Sequence, residues 1–99
     1  MSGKLVRVAP GVEESIHVWA GKGRPPLDML QDLVGGYIQL WPGGVRFEGR
    51  LREAYCDEDG IAKRLRDNHA AFAKYGADIL GPLVIWIPDP APKKKEKAA

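Results

Sequence analysis

The segment Leu33-Val34-Gly35-Gly36-Tyr37-Ile38-Gln39-Leu40-Trp41 packs a helix end, a glycine joint and a strand start into nine residues. Ahead of it, Leu27, Leu30 and Val34 recur at helical spacing with Leu33 beside them, while Asp28, Gln31 and Asp32 face away. Asp28 puts negative charge near the positive helix N-terminus, and Gly35 or Gly36 supplies the left-handed residue that ends a helix. A helix feeding directly into a strand makes this an α+β chain.

The flanking patterns extend that reading. Lys4 to Ala9 is a short β-branched run that stops at Pro10-Gly11, and Glu14 to Ala20 alternates, with Ile16 and Val18 on one side and Ser15, His17 and Trp19 on the other. These two runs predict a hairpin. Taking Gly43-Gly44 as a two-residue turn predicts a second one, with Leu40 opposite Phe47, Gln39 opposite Glu48, Trp41 opposite Arg46 and Tyr37 opposite Arg50. That register sends Ile38, Leu40 and Phe47 to one face and Tyr37, Trp41, Arg46 and Arg50 to the other. Alternation continues through Leu51 and Tyr55 to an acidic turn, Asp57-Glu58-Asp59-Gly60. Ile61 to Tyr75 reads as a helix closed by Gly76, and Leu83 to Ile87 as an apolar strand covered on both faces. The expected fold is a small, mostly antiparallel sheet of about five strands with two helices, in the order β-β-α-β-β-α-β.

At 99 residues the chain accommodates one domain, residues 1–88, and a Pro/Lys-rich tail, residues 89–99. The net charge of +2 belongs to that tail. Of 15 basic and 13 acidic residues, four lysines and one glutamate lie beyond Pro92, which leaves 11 basic and 12 acidic in the body. The tail reads as a flexible end, with weak nucleic-acid contact through its lysines as the functional option. No apolar run reaches the roughly 20 residues of a bilayer span, and no signal-peptide core opens the chain, so the expected setting is cytoplasmic, away from membranes. The single cysteine, Cys56, has no intrachain disulfide partner.

The residues that carry chemistry are sparse. His17, His69 and Cys56 lack metal-ligand spacing, and neither Ser2 nor Ser15 stands in a nucleophile elbow. Gly21-Lys22-Gly23-Arg24 lacks the spacing of a phosphate loop, and Asp57 to Asp59 lack the distal glutamate of a calcium loop. The expectation is no catalytic residue, no metal and no cofactor. Asn68 lies on the apolar stripe of the second helix, where an amide either holds a neighbouring loop or reads a ligand. The aromatic residues are the better lead. Trp19, Tyr37 and Trp41 fall on the face opposite the aliphatic one, interleaved with Arg46, Arg50 and Arg52, with Trp86 as a candidate fourth ring. Tryptophan, tyrosine and arginine are enriched at binding hot spots, although a covering helix or a homodimer would also bury such a face.

Leu30-Gln31-Asp32-Leu33-Val34-Gly35-Gly36-Tyr37-Ile38, Asp57-Glu58-Asp59-Gly60, Asn68-His69-Ala70-Ala71 and Asp78-Ile79-Leu80-Gly81-Pro82-Leu83-Val84-Ile85 together resemble a family of small phage, plasmid and bacterial proteins grouped as a domain of unknown function. The resemblance spans residues 4–87 and departs at His69, where arginine is usual, and in the lysine tail. It implies a compact α+β fold in a mobile-element setting and assigns no catalytic residue. The function expected is a non-enzymatic module that modulates or inhibits a host protein by contact, with a counter-defence role in view. The alternative is a protein that sequesters an anionic nucleotide, with Arg46, Arg50 or Arg52 on phosphate and Tyr37 or Trp41 on the base.

Overall fold

The computed structural model describes residues 2–11 and 14–89. The tail expected from residue 89 onward lies outside them, except for Asp89. Strands β1 (Gly3–Val8) and β2 (Ser15–Trp19) form the first hairpin, with Leu5 opposite His17 and Val6 opposite Ile16. Helix α1 (Leu27–Val34) follows, then β3 (Ile38–Leu40), β4 (Val45–Phe47), β5 (Arg50–Asp57), helix α2 (His69–Tyr75) and β6 (Leu83–Pro88). All strand pairs are antiparallel, in the order β2-β1-β6-β5-β3, with β4 also on β5. The expected fold class holds, with six strands in place of about five. None of the helices is long and apolar enough to cross a membrane among the described residues.

Strand β6 takes the interior position its uninterrupted apolar run implied, and Leu83 to Ile87 are all buried. Its register sorts the core into two layers. Val6, Ile85 and Ala54 align across β1, β6 and β5 on one face, and Leu5 and Trp86 align on the other. Helix α1 covers the second face with Leu30 and Val34, which pack with Leu5, Tyr55, Val84 and Trp86. Arg7 Nε donates to the Leu33 carbonyl at 2.7 Å, placing a cation at the negative end of α1. On the first face, Val45, Ala71, Ala77 and Ile79 close over Val6, Val8, Ala54, Leu83 and Ile85. The β4–β5 hairpin bends over this face far enough for the Lys4 ammonium of β1 to lie 5.9 Å from the Phe47 ring centroid. Phe47 in turn stacks on Tyr75 of α2, with centroids 6.1 Å apart.

The second hairpin is not the one expected. Gly43 and Gly44 do have positive φ, 79° and 66°, but the chain does not reverse there. Gln39 lies opposite Cys56, Trp41 N–H donates to the Ala54 carbonyl, and Val45 lies opposite Arg52. Pro42 to Gly44 therefore form a bulge facing Glu53 alone, in a chain that keeps its direction along β5. The reversal comes later, at Glu48 (φ 51°) and Gly49 (φ 83°), a two-residue turn of the type I′ class that joins Phe47 to Arg50. Two consequences correct the expected register: Leu40 does not pair with Phe47, and Trp41 and Phe47 pack on the same core layer. The two faces proposed from the sequence are thereby mixed.

The second helix is also shorter than its periodicity suggested. Turns carry the chain from Asp57 to Leu65, Arg64 has φ 57°, and Asp67 bridges Leu80, so α2 starts only at His69. Asn68 caps it. The amide is 2% exposed: its nitrogen donates to the carbonyls of Val8 and Gly81, both at 2.8 Å, and its oxygen accepts from Ala71 N–H at 3.0 Å. One side chain thus ties the end of β1, the approach to β6 and the start of α2. Replacing Asn68 by Ala should orphan all three backbone groups and cost about 2–4 kcal/mol in urea unfolding. A loss below about 1 kcal/mol would show that water takes over these bonds and that the tie is dispensable.

Candidate functional site

Strand β5 serves two partners on one side and a third on the other, and it cannot satisfy all three along its whole length. It pairs with β6 only over Glu53–Tyr55, while Arg50–Arg52 follow β4 as the hairpin bends away. Where β5 parts from β6, a hollow of about 340 Å³ opens, lined by Gly23, Arg24, Leu51, Arg52, Glu53, Trp86 and Pro88. The Pro42–Gly44 bulge opens another of about 330 Å³ on the opposite flank, lined by Leu40, Trp41, Gly43, Gly44 and the same three β5 residues. Leu51-Arg52-Glu53 is thus a ridge between two hollows. Leu51 is 64% exposed, one of several large hydrophobic side chains left in solvent, and is set apart by its place between two hollows that tryptophans border.

The ridge is electrostatically mixed. Glu53 accepts from Arg24 Nη2 at 2.7 Å through one oxygen and from the Tyr55 hydroxyl at 2.9 Å through the other. Burial, reinforced by the Glu53 carboxylate, pushes the Tyr55 hydroxyl up to about 12, so it remains a hydrogen-bond donor at neutral pH. Arg52 Nε–H is buried without an acceptor among the described residues. Arg46, directly across from Leu51, stays exposed and donates to the Gly49 carbonyl at 3.3 Å.

The residues singled out from the sequence therefore separate. Trp41, Arg46 and Arg52 come together around Leu51, with Arg50 exposed at the end of the same hairpin and Trp86 buried beside the first hollow. Trp19 does not join them. It packs half-buried against the α1 layer, its indole N–H donating to the Gly23 carbonyl at 3.1 Å, whereas Trp41 packs on the opposite layer. Tyr37 is 67% exposed after α1, on a different hollow, and Asn68 is consumed by backbone partners. Sequence reasoning missed Leu40, Leu51, Glu53 and Arg24. Strand alternation assigned Leu51 to the core, so nothing local could mark it as exposed.

Two polar hollows compete with the ridge. One, of about 520 Å³, lies between Gln31, Asp32, Gly35, Gly36, Tyr37, Asp59 and Lys63. Its only cation among the described residues, Lys63, is committed to the buried Asp57 carboxylate at 2.8 Å, which also accepts from Asp59 N–H at 2.8 Å. Gly36 permits this contact, because a Cβ there would collide with the Lys63 ammonium and crowd the Asp57 carboxylate. With Asp32 and Asp59 on its walls, this hollow repels anions. The other, of about 480 Å³, follows the acidic turn from Asp57 to Ala62 with Asp78, yet no group of His, Cys, Asp or Glu is placed to hold a metal among the described residues.

No protein-family model matches the chain, and no curated protein or solved structure matches it closely enough to indicate kinship.

The Asp57–Lys63 pair gives the fold a pH signature. Burial alone would raise the Asp57 carboxyl; the Lys63 and Asp59 donors outweigh it and hold the group below the ordinary value of 3.8. A folded-state value below the unfolded one stabilises the fold above the unfolded pKa, and that stability is lost as pH falls through the folded value. The urea midpoint should therefore hold steady down to about pH 4 and drop below it, and Asp57→Asn should flatten that acid limb. An acid limb of unchanged slope in Asp57→Asn would place the titrating group elsewhere.

Proposed function

We propose that this chain is a non-enzymatic binding module that modulates or inhibits another protein by direct contact, with the Leu51-Arg52-Glu53 ridge and its two hollows as the contact. The observation that carries the reading is the exposed Leu51 side chain standing between hollows bordered by Trp41 and Trp86 and lined by Arg24 and Arg52, with Arg46 across the strand pair from it. The tryptophan and arginine that flank it are residue types enriched at interface centres, where a few residues hold most of the affinity. Each hollow, at 340 and 330 Å³, sits at the small end of ligand sites and suits a protruding side chain better than a whole nucleotide. The Glu53 carboxylate lines both and already engages Arg24, so a phosphate would meet a negative group there. In the mobile-element setting expected from the sequence, the target would be a host protein in the cytoplasm and the role counter-defence.

The test is affinity capture of the full chain from its own cells, comparing the wild type with Leu51→Asp and Tyr37→Ala. Both positions are exposed, so both variants should melt like the wild type. One protein should co-purify with the wild type and with Tyr37→Ala, and its recovery should fall at least about tenfold with Leu51→Asp, as for the loss of an interface anchor. Equal recovery with Leu51→Asp, or a co-purifying nucleotide in place of a protein, would contradict the reading.

A further inference from the structure

We infer that the free edge of β2 is the docking surface for a second copy of this chain, strand against strand in antiparallel register centred on His17. Among the described residues the sheet ends at β2 on one side and at β3 on the other. Open edges attract other strands, and natural proteins blunt them with charges, prolines, bulges or brevity. Strand β3 is three residues long and runs into Pro42, so it is blunted. Strand β2 is not. Ser15-Ile16-His17-Val18-Trp19 carries no lysine, arginine, acid or proline, and none of its residues has positive φ.

What distinguishes self-pairing from capture of an arbitrary strand is the symmetry of the sequence about His17. Placing His17 opposite its own copy sets Ile16 across from Val18 of the second chain, and the two-fold axis repeats the pair. Ile16 and Val18 share one face and are 61% and 74% exposed, an arrangement that leaves two aliphatic side chains in water on the monomer. In the dimer, four such side chains meet at cross-strand distance, while Ser15 faces Trp19 on the other side. Charge agrees with the orientation. Glu14 stands at the head of β2, held by Lys74 at 3.0 Å and by the Tyr75 hydroxyl at 2.8 Å, and Lys22 follows its end. Antiparallel pairing lays the acidic end of one copy alongside the basic end of the other, whereas parallel pairing would align like with like. The interface is isologous and closes on itself, giving a dimer and no fibre. It is independent of the Leu51 ridge, because β1 and β6 lie between β2 and β5.

Sedimentation velocity on the full chain from ~10 to ~500 µM is the test, since a short strand edge should associate in the micromolar range. The wild type should pass from monomer to dimer with concentration. Ile16→Lys and Val18→Glu, both at exposed positions and checked for an unchanged thermal melt, should each raise the dissociation constant at least about tenfold. Mixing the two variants should restore a heterodimer, because the register puts the new ammonium of one chain against the new carboxylate of the other. A wild type that stays monomeric over the whole range would overturn the proposal. So would single variants that dimerise like the wild type, and so would a mixture that fails to recover.

Discussion

Three residues facing one decide the shape of this protein. Pro42, Gly43 and Gly44 stand where β5 offers only Glu53, between the Trp41–Ala54 backbone bond and the Val45–Arg52 pair. A Cβ at Gly44 would collide with the Arg52 carbonyl, so the bulge requires glycine at that point as well as a positive φ. Bulges bend and twist the strand that carries them. Here the bend swings β4 and the first half of β5 out of the main sheet and over one of its faces, where Val45 and Phe47 complete the core. The same departure strips β5 of its β6 partner at Leu51 and Arg52 and exposes the ridge. Closing the core and opening the candidate site are thus one event.

The rest of the fold is held to that bend from both sides. Helix α1 seals one layer, with its last turn fastened by Arg7, while α2 is too short to be stable by itself and depends on its tertiary ties. Asn68 supplies those ties, to Val8 and Gly81, and the Phe47–Tyr75 stack fastens the helix to the bent hairpin. The buried Asp57 carboxylate, paired with the exposed Lys63 ammonium, closes β5 against the glycine joint after α1, where the absence of a side chain at Gly36 leaves room for the ammonium. Satisfied buried polar groups of this kind cost little while intact and much when one partner is removed.

Much of this was legible in the chain, for identifiable reasons. The α1 stripe ends at Gly35 in the left-handed conformation its sequence suggested, and the unbroken apolar run of β6 did mean burial on both faces. Gly43 and Gly44 do take the positive φ that a two-residue turn requires, but that conformation serves a bulge as well as a turn, and the choice depends on pairing at a distance. The true reversal, Glu48-Gly49, was hidden because glutamate is a poor marker for a left-handed position. The helix was overextended because Ile61 and Leu65 keep helical spacing with Phe72, although Ile61 is exposed and Leu65 sits against Gly81. Asn68 took the structural alternative of the two weighed for it. The aromatic face dissolved once the register moved, leaving Trp41, Arg46 and Arg52 together and Trp19 on the far layer.

The register of residues 38–57 determines the bulge and the ridge together, and backbone NOE spectroscopy reads it directly. Cross-strand NOEs should link Gln39 to Cys56, Leu40 to Tyr55 and Arg46 to Leu51, with Pro42 to Gly44 lacking a regular partner. NOEs linking Gln39 to Glu48 and Leu40 to Phe47 would restore a hairpin at Gly43-Gly44, remove the bulge, and take the Leu51 ridge with it.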